Sequence, residues 1–324
     1  MHTPSFQGVL DAARQIAPAA VRTPLIEHPA LNAAVGGRVL MKAETLQVAG
    51  AFKFRGAYNR ISRLTNEEKT RGVVAYSSGN HAQGVAAAAQ AVGTRALIVM
   101  PSDSPTVKVE GVRVFGGEVR FYDRWSESRE AIGAEIAAER GSILVPPFDD
   151  PFVIEGQGTV GLEMLEQAGV PVDQLLCGAS GGGLIAGINL VMAERSQDTR
   201  VIVVEPEAFD DTRRSLEAGQ RTAHPQGAPS ICDALMAPMP GELTWPINQR
   251  LAGAALVTDA EVAEAMRFAF RWLKLVVEPG GAVSLAALLS GKISAKGLTT
   301  GIVLSGGNVD PGLFAEIIED RFKG

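Results

Sequence analysis

The stretch Ala49-Gly50-Ala51-Phe52-Lys53-Phe54-Arg55-Gly56-Ala57 sets one lysine among small residues and aromatics, just ahead of a helical pattern. An amine becomes nucleophilic near neutral pH only when its pKa is lowered, and apolar neighbours or a nearby cation such as Arg55 would lower it. Lys53 is therefore a candidate Schiff-base lysine. A solitary lysine is ordinarily a solvated surface charge, so the reading depends on the rest of the chain.

Four further segments bear on it. Ser77-Ser78-Gly79-Asn80-His81-Ala82-Gln83-Gly84 follows the apolar run Val73-Val74-Ala75-Tyr76 and leads into an alanine-rich helix. Gly178-Ala179-Ser180-Gly181-Gly182-Gly183 follows Leu175-Leu176-Cys177 and opens another helix. There a turn of bare amides points along a helix axis, the geometry that holds a phosphate. Val277-Glu278-Pro279-Gly280-Gly281-Ala282 and Leu304-Ser305-Gly306-Gly307-Asn308-Val309-Asp310 complete the set. In this order and at these separations the segments resemble the pyridoxal-phosphate enzymes of the tryptophan-synthase-β fold (fold type II), most closely the threonine/serine dehydratase and serine racemase group. The resemblance runs from Thr23 to Asp310.

Composition fits a globular enzyme. A chain of 324 residues that is 46% hydrophobic can bury a large core. A net charge of −6 without basic clusters argues against nucleic acid as a partner. Cys177 and Cys232 form no close pair, so neither a disulfide framework nor a zinc clamp is expected, and a cytoplasmic location fits. Asp11, Arg14 and Pro18 interrupt the first twenty residues, so neither a signal peptide nor a membrane span is expected. No effector-binding domain is expected after the Ser305 loop.

Short apolar runs alternate with longer helical patterns, which predicts an α/β protein with mostly parallel sheets. Strands are expected at Arg95–Met100, Glu118–Tyr122, Arg200–Glu205 and Thr300–Ser305, and helices at Gly79–Ala91, Ser126–Arg140 and Asp259–Leu273. Pro146-Pro147-Phe148-Asp149-Asp150-Pro151 reads as a linker, because prolines push the preceding residues towards extended geometry. The resemblance implies two open, twisted sheets flanked by helices, with a small domain, 72–147, inserted into a discontinuous large domain, 1–71 and 148–324.

The glycine loop admits two other readings. Gly178 to Gly182 satisfies the G-x-S-x-G nucleophile elbow, but only His224 follows as a base, in a stretch rich in turn residues. Gly181, Gly183 and Gly187, followed by the run Val201–Val204 and Glu205, imitate a nicotinamide-dependent oxidoreductase. The glycine spacing is wrong for that motif, and it leaves Lys53 and Ser77–His81 unexplained. Ser77–His81 also reads as an ordinary turn and helix cap.

Carried over by position, the resemblance implies that Lys53, Phe52, Asn80, Ser180, Gly181, Gly182, Gly183, Leu184, Glu278 and Ser305 hold the cofactor. Ser77, Ser78, Gly79, Asn80 and His81 would hold the substrate carboxylate, with Ser78 on the cofactor face opposite Lys53. Ser305 falls at the ring nitrogen, where a hydroxyl supplies no negative charge, which favours elimination over transamination. The run Glu205-Pro206-Glu207-Ala208-Phe209-Asp210-Asp211 matches a divalent-cation site, with carboxylates from Glu205 and Asp211 and the Phe209 carbonyl. Oxygen ligands suit Mg2+ or Ca2+. The expected activity is a homodimeric ammonia-lyase that dehydrates a β-hydroxy amino acid such as threonine or serine. Serine racemase and 3-hydroxyaspartate dehydratase are the alternatives, the last needing a cation from Arg55, Arg124 or Arg129.

Overall fold

The computed structural model describes residues 2–104, 106–225 and 229–322. Its strands are β1 (Leu25–Glu27), β2 (Arg38–Ala43), β3 (Val73–Tyr76), β4 (Ala96–Pro101), β5 (Glu118–Tyr122), β6 (Ile143–Leu144), β7 (Gln174–Gly178), β8 (Arg200–Pro206), β9 (Gly253–Val257) and β10 (Thr299–Leu304). They form two sheets, one ordered β1-β2-β10-β7-β8-β9 and the other β5-β4-β3-β6. All pairings are parallel except β1 with β2. Helices cover both sheets, which is why β4 is buried along its whole length and reads as an unbroken apolar run.

The expected α/β class with two mostly parallel sheets is what the chain adopts, and the smaller sheet is drawn wholly from residues 73–144. Two helix boundaries differ from expectation by more than one residue. The helix foreseen from Ser126 starts at Arg129, because the Ser128 hydroxyl accepts from the Ala131 amide and caps it there. The pattern foreseen as one helix over Asp259–Leu273 is α-helical only to Phe268 and passes into a π-turn at Ala269–Leu273, ended by Lys274 at φ 61°.

The helix Pro151–Ala168 is the central strut. It crosses the helix Lys53–Ile61 where Gly156 faces Gly56, and a Cβ on Gly156 would lie 2.6 Å from the Gly56 Cα. It crosses the helix Gly183–Arg195 where Gly158 faces Gly187, a Cβ there meeting the Gly187 carbonyl oxygen at 2.8 Å. One strut thus fixes both the lysine-bearing helix and the helix that follows the glycine loop.

Candidate active site

Ser77 follows β3, Ala179 follows β7 and Ser305 follows β10, so the carboxyl ends of both sheets open on one cleft, where ligands bind in open α/β folds. The cleft holds a cavity of about 460 Å³ lined by Phe52, Lys53, Ser77 to His81, Ser180 to Leu184, Glu278 and Ser305. All the residues expected around cofactor and substrate thus share one space.

Lys53 begins its helix at the cavity wall. Its Nζ donates to the Pro147 carbonyl at 2.7 Å and lies 5.2 Å from the centre of the Phe52 ring. Burial pushes the amine down to about 8. Arg55 takes no part in this, contrary to its expected role as the activating cation. Its guanidinium is fully buried on Glu44 and Glu163, outside the cavity, so it is equally unavailable to a substrate. The Phe52 amide donates to the Ser305 carbonyl at 3.0 Å, which joins the lysine stretch to the Ser305 turn. Gly84 lets the helix Asn80–Val92 approach from the other side, since a Cβ there would lie 3.1 Å from the Lys53 carbonyl carbon.

The Ser77–His81 loop is braced by its ends. The Ser77 hydroxyl accepts from the Gly79 amide at 3.2 Å, whereas the Ser78 hydroxyl has no partner among the described residues. Asn80 donates to the Glu278 carboxylate, and its carbonyl accepts from Asn308 at 2.8 Å. Burial raises the Glu278 carboxyl. The His81 Nε2 donates to the Val145 carbonyl at 2.8 Å, while burial and the Lys53 charge hold the ring neutral down to about pH 3. A ring so held braces the loop.

The glycine loop turns its carbonyls away from the cavity. The Gly181 carbonyl accepts from the Thr244 hydroxyl at 2.7 Å, and the Gly182 carbonyl accepts from Asn248 Nδ2 at 3.1 Å. Gly182 sits at φ 87°, where a side chain would be strained and would also strike Asn248. No side chain among the described residues caps the helix Gly183–Arg195, so its first amides remain for an anion. The Ser180 hydroxyl accepts from the Ala237 amide at 3.1 Å and keeps its own proton to donate. A phosphate monoester fits this cradle, and Lys53 lies across the same cavity.

Glu205, Phe209 and Asp211 lie outside the cavity, at the end of β8. The Glu205 carboxylate accepts from the Thr212 and Arg213 amides at 2.8 and 2.9 Å and so caps the following helix. It is not free for a ribose, which removes the nicotinamide reading. His224 packs edge-on against Phe209 at 4.6 Å and leaves the nucleophile-elbow reading without a base. Asp211 Oδ2 is buried with no partner among the described residues. Two adjoining buried carboxylates, one with an unpaired oxygen, suit a divalent cation.

Lys108, Thr244 and Asn248 gave no local sequence signal, whereas Arg124 and Arg129 were candidate cations that the sequence alone could not place. Lys108 enters from the small-sheet side and pairs with Asp233 across the cleft. Arg124 and Arg129 also line the cavity, Arg124 held by Asp103 at 2.7 Å and Arg129 over the Tyr76 ring at 5.6 Å. Thr244 and Asn248, which hold the glycine loop, lie more than sixty residues from it.

An amine-bearing wall facing an amide cradle between two parallel sheets defines the fold type II class of pyridoxal-phosphate enzymes. The chain belongs to the family of pyridoxal-phosphate dependent enzymes, which it matches over residues 16–306. It is 42% identical to an L-threo-3-hydroxyaspartate ammonia-lyase from a Pseudomonas species, over 98% of this chain and 100% of that protein. The structure of maize serine racemase superposes with a TM-score of 0.92 at 38% identity, covering 99% of this chain and 98% of that one. The structure of a threonine deaminase from T.th. gives a TM-score of 0.88 at 43% identity, covering 95% of this chain and 99% of that one.

Proposed function

We propose that the chain is a pyridoxal-phosphate ammonia-lyase that eliminates water from a β-hydroxy amino acid such as L-threonine or L-serine, the released enamine then taking up water to give a 2-oxo acid and ammonia. The observation that carries this reading is the Lys53 amine, pushed down to about 8, facing the glycine cradle across one cavity. Phe52, Asn80, Ser180 to Leu184, Glu278 and Ser305 would hold the cofactor, whose bound ring supplies the electron withdrawal that makes the substrate α-proton acidic. Lys53 takes that proton as base, close to neutrality because its amine is desolvated. Ser77 to His81 hold the α-carboxylate through the amides at the helix start. Ser78, whose hydroxyl is unengaged, faces the α-carbon from the other side and serves any reprotonation there. Residues 72–147 form the small domain that covers the site, inserted between 1–71 and 148–324. Glu205, Phe209 and Asp211 hold Mg2+ or Ca2+, and the working form is a cytoplasmic homodimer.

A second substrate, 3-hydroxyaspartate, is favoured by one observation: Lys108, Arg124 and Arg129 bring three cationic side chains to the cavity. A second carboxylate would be met there by charge-assisted hydrogen bonds. Incubating the holoenzyme with both enantiomers of serine, threonine and 3-hydroxyaspartate, and assaying oxo acid, tests the reading. Absence of oxo acid from all of them would overturn it. Ser78→Ala should depress racemisation and turnover of the D-enantiomer far more than turnover of the L-enantiomer, compared as kcat/KM ratios. An equal loss on both would remove Ser78 from the second face.

A further inference from the structure

Arg55 neither tunes Lys53 electrostatically nor reaches the cavity, yet it is among the largest fully buried side chains. It lies two residues beyond Lys53, in the first turn of the same helix. Its Nε donates to Glu44 at 2.8 Å, its Nη1 to Glu163 at 2.7 Å, and its Nη2 to Glu44 and Glu163 at 2.8 and 2.9 Å. Further bonds run to the Thr159 hydroxyl at 3.2 Å and the Val21 carbonyl at 3.2 Å. Lys42 donates to the second Glu163 oxygen at 2.7 Å, so two cations meet two carboxylates and the group is neutral.

A buried ionic group of this kind gives little stability over a well-packed apolar one, but it fixes geometry because every bond is directional. Here it ties the start of the lysine helix to the end of β2 and to the strut Pro151–Ala168. The same two helices touch at Gly56 and Gly156, and the Gly56 amide donates to Gln157 at 3.1 Å. The carbonyl that receives the Lys53 amine belongs to Pro147, four residues before that strut begins.

We propose that Arg55 is a positioning residue for Lys53, its guanidinium fork setting where the amine stands relative to the Pro147 carbonyl and the glycine cradle. This rests on the reading of Lys53 given above. A group displaced by about 1 Å at a reacting centre loses on the order of 100-fold in rate. Arg55→Met and Arg55→Lys would be compared with the unaltered enzyme in kcat, KM, thermal midpoint and the pH dependence of reductive attachment of pyridoxal phosphate to Lys53. The expected result for Arg55→Met is a fall in kcat of about 100-fold with little change in KM. Its labelling midpoint should move upward as the amine loses its buried position. Arg55→Lys, which keeps the charge without the fork, should recover the thermal midpoint but not kcat.

Unchanged kcat and an unchanged labelling midpoint in folded Arg55→Met would overturn the proposal. Should Arg55→Met fail to fold, Arg55→Lys decides: a loss of kcat at constant KM supports positioning, and unaltered kcat overturns it. Failure of Lys53 to label in the unaltered enzyme would instead strike at the reading of Lys53 itself.

Discussion

Two clusters of buried charge in this molecule follow opposite rules. Around Arg55 each charge has an opposite partner. Burial acts to raise the Glu163 carboxyl, yet Arg55 and Lys42 overcome it and hold the group below the usual carboxylate range. At the end of β8 the charges share one sign. Burial lifts Glu205 to about 7, while burial and then the Glu205 charge lift Asp211 to about 8. Arg213 and Arg214 are taken up by Asp210, so neither arginine neutralises the pair. A matched cluster needs nothing from outside the chain and can act only by holding geometry, whereas an unmatched one keeps a like-charge repulsion that the chain does not offset.

The comparison breaks most visibly under removal of one carboxylate from each cluster. Glu44→Gln leaves the group of Arg55, Lys42 and Glu163 with one uncompensated buried positive charge and should cost about 3–5 kcal/mol in urea unfolding. Asp211→Asn, measured in chelator, should cost nothing or stabilise, because it removes a like-charge neighbour. Equal losses from the two substitutions would erase the contrast. Smaller is the effect of the cation itself. In chelator-treated protein, Mg2+ or Ca2+ at a hundred times its dissociation constant should add about 2.7 kcal/mol, and Glu205→Gln should abolish the gain. Indifference of metal-free protein to both ions would mean the acidic cluster is complete as it stands.

A further effect concerns Lys53, a partly buried cation at the cavity wall whose one direct partner among the described residues, a carbonyl, is neutral. In protein stripped of cofactor its folded pKa of about 8 lies below the ordinary 10.5. The unfolded chain therefore binds more protons between those values, and the lysine's cost to stability is full below pH 8 and fades as pH rises through that window. Lys53→Met should accordingly be the more stable protein at pH 7, with the difference shrinking towards pH 10.5. A difference that stays constant with pH would show that the amine is solvated.

The parts of the site carried by contiguous chain were legible in the sequence. Lys53 with its aromatics, Ser77 to His81, the Ser180 loop and the Ser305 turn each announce themselves by glycine and small residues next to an apolar run. What could not be read is pairing across long separations. Nothing near Lys53 points to the Pro147 carbonyl, 94 residues away, and nothing near Gly182 points to Asn248. The Arg55 expectation failed for the same reason. Its charge is visible in the sequence but its partners, Glu44 and Glu163, are not, so by sequence it resembles an active-site cation. Arg124 and Arg129 had the same standing in the sequence, and only the closure of β5 and its following helix over the cleft separates them from Arg55.

The strut Pro151–Ala168 carries glycine at 156, 158 and 161, each giving up about 1 kcal/mol of helix propensity relative to alanine. Such a segment gains little by coiling alone and becomes a helix when its neighbours arrive. Its glycines face Gly56, Gly187 and Ile188, so those neighbours are the lysine helix and the helix after the glycine loop. The strut therefore couples the two halves of the site mechanically: a shift along its axis would carry the amine and the glycine loop together.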